Sequence, residues 1–108
     1  MNRKPVVRRE RATADITAAV DYYLDVAGTA VALNLVSAAE QAIDETSGTP
    51  ALGSPRFGNV LEIAGLRSRR TDGFPCLIFY WEAEDRIEVW RVLHDRRDIG
   101  ATLLDVET

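Results

Sequence analysis

The chain has 108 residues, 46% of them hydrophobic and 28% charged, which is the length of one domain, residues 1–108, built on a single core. With 13 Lys+Arg against 17 Asp+Glu its formal net charge is −4, whereas duplex-binding proteins rely on a basic stripe. No apolar run approaches the roughly 18 residues of a membrane span, no secretory h-region follows the basic N-terminus, and one cysteine with one histidine leaves no internal disulfide or thiolate zinc cage. A soluble, cytoplasmic chain without metal or cofactor is therefore expected.

Residues 4–10, KPVVRRE, read as a short extended segment, with Pro5 near its start, where a missing donor is tolerated. From Thr13 the period becomes helical: Ile16, Ala19, Val20, Tyr23, Leu24 and Ala27 form one apolar stripe, and Gly28 supplies a stop. Thr29 is placed to cap a second helix, in which Val31, Leu35, Ala38, Ala39, Ala42 and Ile43 repeat the pattern before it fades into Thr46–Pro50. With only Gly28 and Thr29 between them, the two helices should form an antiparallel hairpin. Residues 46–59, rich in Gly, Ser, Pro and Thr, read as a loop.

After the loop the period drops to two. Residues 66–70, LRSRR, make a candidate strand, and 76–81, CLIFYW, a continuous apolar run suited to a central strand. Residues 82–85 form a turn of hairpin length, 86–94 a third strand, and one helical turn is expected around Ile99–Leu104. The predicted fold is α+β: an N-terminal strand, an antiparallel helix hairpin and a three-stranded antiparallel meander, with the hairpin on one sheet face. Charge is segregated along it. Residues 1–12 carry five basic side chains and one acid, residues 13–50 six acids and no base, and residues 51–108 eight arginines and ten acids. That order predicts faces of opposite sign.

Alternation puts Arg67 and Arg69 on one face of the first meander strand. Strand 86–94 mixes apolar and polar residues on both faces, so alternation does not assign its core side. Arg67, Arg91 and His94 could line a cationic groove for phosphate or carboxylate; equally, the arginines could pair with Glu82, Glu88 and Asp95 as a solvated surface. His94 is either a general acid or, the favoured reading, a strand-end histidine bonded to Asp95 or Asp98. Cys76 reads as a small core residue, and Trp81 and Trp90 as packing residues.

Four segments together resemble a known family: GLRSRR at 65–70, FPCLIFY at 74–80, IEVWRVLHDRRD at 87–98, and ATADITAAVDYYLDVAG at 12–28 with its Ala-x-x-Asp-Ile opening. They are similar to the RelE/ParE superfamily of toxins from bacterial type II toxin–antitoxin modules, most of all to its ParE branch, in the family's order from residue 4 to 100. The resemblance implies a helix hairpin against a small antiparallel sheet. It also implies neutralisation by a ParD-like antitoxin lying along the groove and hairpin, and DNA gyrase as the target, with no catalytic site of the toxin's own and no sequence-specific nucleic-acid binding. Arg67, Arg69, Arg91, His94 and Arg97, with the apolar tail residues Ile99, Leu103 and Leu104, are the implied binding residues. The alternatives are a ribosome-dependent mRNA endonuclease of the RelE type and an inactive interaction module. Against the nuclease, no lysine base stands near the loop, Glu62 is displaced from the family position, and the C-terminal tyrosine of many nuclease members is missing.

Overall fold

The computed structural model describes residues 3–96 and 99–104. The first strand is shorter than its extended run: β1 is Val6–Arg8, and it pairs in parallel with the last strand, β4 (Ile87–His94), in the register Val6↔Ile87, Val7↔Glu88, Arg8↔Val89. The Ile87 N–H donates to the Pro5 carbonyl and the Arg9 N–H to the Val89 carbonyl, both at 2.9 Å. The sheet is therefore mixed and four-stranded, in the order β1–β4–β3–β2, with β2 at Arg67–Arg70 and β3 at Cys76–Glu82 forming the expected antiparallel meander with β4.

Helix α1 (Glu10–Ala27) starts three residues before the Thr13 at which its apolar period becomes visible. Glu10 sits in its first turn, where a carboxylate meets the positive end of the helix dipole. Gly28, at φ 93°, ends α1 by donating its N–H to the Tyr23 carbonyl, and it is also the N-cap of α2 (Thr29–Gly48). The hairpin thus turns on one residue, and Thr29 is the first residue of α2 rather than its cap. Nor does α2 fade at Thr46. The Thr46 hydroxyl donates to the Ile43 carbonyl and that of Ser47 to the Lys4 carbonyl, both at 2.6 Å, so turn-forming residues are absorbed into a helix end buried against β1. The expected loop 46–59 also holds structure of its own: a 3-10 turn at Pro50–Leu52 and helix α3 at Arg56–Leu61.

The helix hairpin covers one sheet face, as predicted, over a core that includes Leu35, Ile43, Ile78, Tyr80, Ile87 and Val89. The opposite face is not left to solvent. Leu66, Phe79 and Leu93 bury there against Phe57 and Leu61 of α3 and against Ile99 and Leu103 of α4 (Ile99–Leu104). Two buried faces explain why both sides of β4 carry apolar residues. A bulge completes the explanation: Phe79 pairs with Arg91 and Tyr80 with Val89, so Trp90 is an extra residue in β4 and the alternation changes face there. Ile87 and Val89 before the bulge, and Val92 after it, all reach the hairpin-side core.

Candidate functional site

The three arginines of β2 are all engaged within the molecule. Arg67 donates to the Gly53 carbonyl at 2.7 Å, Arg69 pairs with Glu45 of α2, and Arg70 binds Asp95 at 2.6 Å. Asp95 is thereby held below the usual carboxylate range, first by the hydrogen bond from Arg70. The predicted pairing of sheet arginines with acids holds for Asp95; Glu82 and Glu88 are taken instead by Lys4 and by Arg9 and Arg86.

Arg91 is buried. Its guanidinium binds Asp15 of α1 through two bonds, Nε to Oδ2 at 2.7 Å and Nη2 to Oδ1 at 2.9 Å, and Asp15 Oδ2 also accepts the Val92 N–H at 2.9 Å. The side chains are 6% and 13% exposed, so neither points at a ligand. The hydrogen bond that Arg91 donates to Asp15 raises the pKa of Arg91. The bulge at Trp90 places Arg91 and the Val92 amide together against one carboxylate, which joins α1 to β4.

His94 is half exposed. Its Nδ1 accepts the Arg96 N–H at 3.1 Å and lies 3.5 Å from Asp95 Oδ1, so at the strand end it is bonded to a backbone amide where the sequence reading expected a carboxylate. His94 pairs across the ladder with Cys76, and Arg67 with Tyr80, four residues further along β3, which sets them about 13 Å apart along the strand direction. Arg67, Arg91 and His94 are thus not brought to one point. Glu62 and Arg67 do border one open depression of about 450 Å³ between α3 and β2, away from His94 and Arg91.

The tail differs from its reading as an exposed contact surface. Ile99 and Leu103 are 6% and 1% exposed, locked into the second core, while Leu104 alone projects, at 57%. A helix of six residues shows too little period to reveal which side it buries. Arg97, like Asp98, lies outside the described residues.

A second cavity, of about 310 Å³, opens between α1 and the ends of β3 and β4. Ala18, Ala19 and Tyr22 wall it on the helix side, and Cys76, Val92 and His94 on the sheet side. Burial pushes the Cys76 thiol up, and the nearby Asp95 charge adds to the rise, so it stays protonated at neutral pH and lacks the thiolate a nucleophile needs. Ala18 and Tyr22 were not singled out as site residues from sequence; their signal is the spacing 18, 22, 26, a second apolar stripe on α1. Among the described residues no group of three His, Cys, Asp or Glu side chains could hold a metal ion, and no helix is long and apolar enough to cross a membrane.

A strand–hairpin–meander sheet with helices on both faces defines a small α+β class, and solved structures share it. One described as the chromosomal ParDE TA system from P. aeruginosa superposes with a TM-score of 0.73 at 19% identity, over 84% of this chain and 95% of that one. At that identity the likeness concerns the fold alone. No curated protein matches the chain. The sequence model of the ParE toxin of the type II toxin–antitoxin system parDE matches residues 6–99. The chain belongs to the ParE toxin family.

Proposed function

We propose that the protein is a toxin neutralised by a ParD-like antitoxin and that, once free in the cytoplasm, it acts by binding DNA gyrase rather than by cutting RNA. Family membership supports the antitoxin and the gyrase target. The observation that carries the choice against RNA cleavage is the position of the candidate groups. Cleavage needs a base, a cation on the phosphate and an acid within reach of one phosphodiester. Here Arg91 is consumed by Asp15, and His94 and Arg67 stand apart on the sheet. A protein of this kind works by holding one state of its target, so its effect follows from surface complementarity and not from proton transfer.

The test is expression without antitoxin, scoring viability, the DNA-damage response and trapped gyrase–DNA cleavage complexes. Trapped complexes and damage signalling are expected, and His94→Gln should remain nearly as toxic as the parent chain. Arg67→Ala, which removes one charge-assisted hydrogen bond, should lower toxicity by roughly ten- to a hundredfold if Arg67 faces the target. Halted translation with intact supercoiling, and message cuts by primer extension that vanish in His94→Gln, would move the chain to the RNA-cleaving branch.

A further inference from the structure

The depression of about 450 Å³ between α3 and the start of β2 is lined by Glu62 and Arg67, with Pro55, Asn59, Ile63 and Gly65 between them. Its two charges are opposite, and each is held by an anchor of its own. Glu62 ends α3 at φ 58°, the only non-glycine residue at positive φ among the described residues, a conformation that costs any residue with a Cβ. Arg67 is fixed by its bond to the Gly53 carbonyl at 2.7 Å. It is the one arginine of β2 that meets no carboxylate, since Glu45 takes Arg69 and Asp95 takes Arg70. Glu62 is exposed and likewise has no ion-pair partner among the described residues. Two unmatched charges of opposite sign thus line one hollow without closing on each other.

The wall between them is firmly built. Gly58 packs so closely that a Cβ would meet the carbonyl oxygens of Leu66 and Ile63, and the Leu66 N–H donates to the Ile63 carbonyl at 3.2 Å. Groups fixed in this way lose little freedom on binding, which favours affinity. Backbone strain of the kind Glu62 carries clusters at functional sites. Glycine would close the same turn, and the part that glycine lacks is the carboxylate lining the hollow. Charge also selects the occupant. A nucleic-acid backbone meets Glu62 as a like charge, whereas a turn of a protein can present both signs at once.

We propose that this depression is the contact site for the target protein, receiving a protruding turn that offers a basic side chain to Glu62 and an acidic one to Arg67. The proposal rests on the reading that the chain acts by binding gyrase. It adds Glu62 as a binding residue and assigns the contact to the protein surface of the target rather than to its DNA.

Three variants of the full chain test it. Glu62→Gly removes the carboxylate while relieving the backbone, so a loss of function in it is not a loss of folding. Glu62→Lys reverses the charge, and Asp72→Lys makes the same change of net charge at an exposed residue outside the depression. Each is measured for binding to purified gyrase with and without DNA, for growth arrest on expression, and by thermal melt. Glu62→Gly should weaken binding and arrest by about ten- to a hundredfold at a melting temperature no lower than the parent's. Glu62→Lys should weaken both further, and Asp72→Lys should leave both unchanged. Parent-like binding and arrest in the two Glu62 variants overturns the site while the gyrase reading stands. An equal loss in Asp72→Lys, which reports net charge alone, or an effect confined to DNA binding, also overturns it. Arrest by a parent chain that does not bind gyrase rejects the gyrase reading, and arrest by the variants then decides whether the depression meets another protein. A parent chain that neither binds nor arrests rejects both.

Discussion

Asp15 and Arg91 lie 76 residues apart in sequence and share two hydrogen bonds in the fold. Removing one partner of a buried pair strands the other charge without solvent, at a cost of about 3–5 kcal/mol. Asp15→Ala and Arg91→Ala should each destabilise the chain by that much in chemical denaturation, and Asp15→Ala/Arg91→Met should recover most of it. Loss of toxicity in Arg91→Ala therefore reports on folding, and the same loss in Arg67→Ala reports on a surface only where the melting temperature is unchanged, because Arg67 also holds the Gly53 carbonyl. Sequence reading left Arg91 between a cationic groove and a pairing with Glu82, Glu88 or Asp95, because a distant carboxylate such as Asp15 leaves no local trace. Glu62 is the second residue of note. It ends α3 in the left-handed region, at φ 58° and ψ 42°, and the Ile63 N–H closes the turn onto the Gly58 carbonyl at 2.9 Å. Glycine adopts that conformation without the side-chain penalty. Glu62→Gly should raise stability by about 0.5–1 kcal/mol, read as a higher melting temperature. Gly58 tolerates no such freedom of choice, since a Cβ there would lie 2.5 Å from the Leu66 carbonyl oxygen.

At the scale of elements, the long helices and the meander were legible because each keeps one period over enough residues to register. Four features were not. β1 has three residues and a partner 81 positions away, so its parallel pairing has no local signature. The bulge at Trp90 breaks the alternation from which a strand's faces are read. Helix α3 hides in a stretch whose Gly and Pro content reads as loop. The fourth is the buried side of helix α4, whose position was expected, and its two leucines give a direct test. Leu103, at 1% exposure, packs into the second core, and Leu104, at 57%, faces out. Leu103→Ala should cost about 2–5 kcal/mol by the cavity it leaves, and Leu104→Ala less than about 0.5 kcal/mol. If the tail were an open docking surface, Leu103→Ala would weaken a complex without lowering the melting temperature.

Across the whole molecule, the segregated charges of the sequence do not become opposed faces. The basic N-terminal stretch folds back on acids supplied by α2 and the sheet: Arg3 on Asp44 at 2.7 Å, Arg8 on Glu40, Lys4 on Glu82 at 2.8 Å, and Arg9 on Glu88 at 2.8 Å. Most of these pairs are exposed, and their individual contributions are small and screened by salt. Glu88 is the exception, with 11% of its side chain exposed. The hydrogen bond from Arg9 holds its carboxyl below the usual 4.5, although burial works in the opposite direction. A carboxyl lowered in this way stabilises the fold above its unfolded pKa and loses that contribution as pH falls through its folded one. Thermal melts taken downward from about pH 6 should show a falling midpoint in acid, with a shallower fall in Glu88→Gln. Equal slopes would mean that the pair carries no acid sensitivity.

The parallel pairing of β1 with β4 has a further consequence for when the protein comes into being. Residues 6–8 leave the ribosome well before residues 87–89, yet the edge they complete waits for them. Closing so long a loop is entropically slow compared with forming the hairpin. The α1–α2 pair can assemble while synthesis continues, but the ion pair from Asp15 to Arg91 and the whole sheet edge must wait until the last strand has emerged. A chain interrupted before β4 keeps the helix hairpin and the β2–β3 pair but lacks the strand that joins them to β1. The sheet is thus completed in one late step, when β4 becomes available to strands that were made before it.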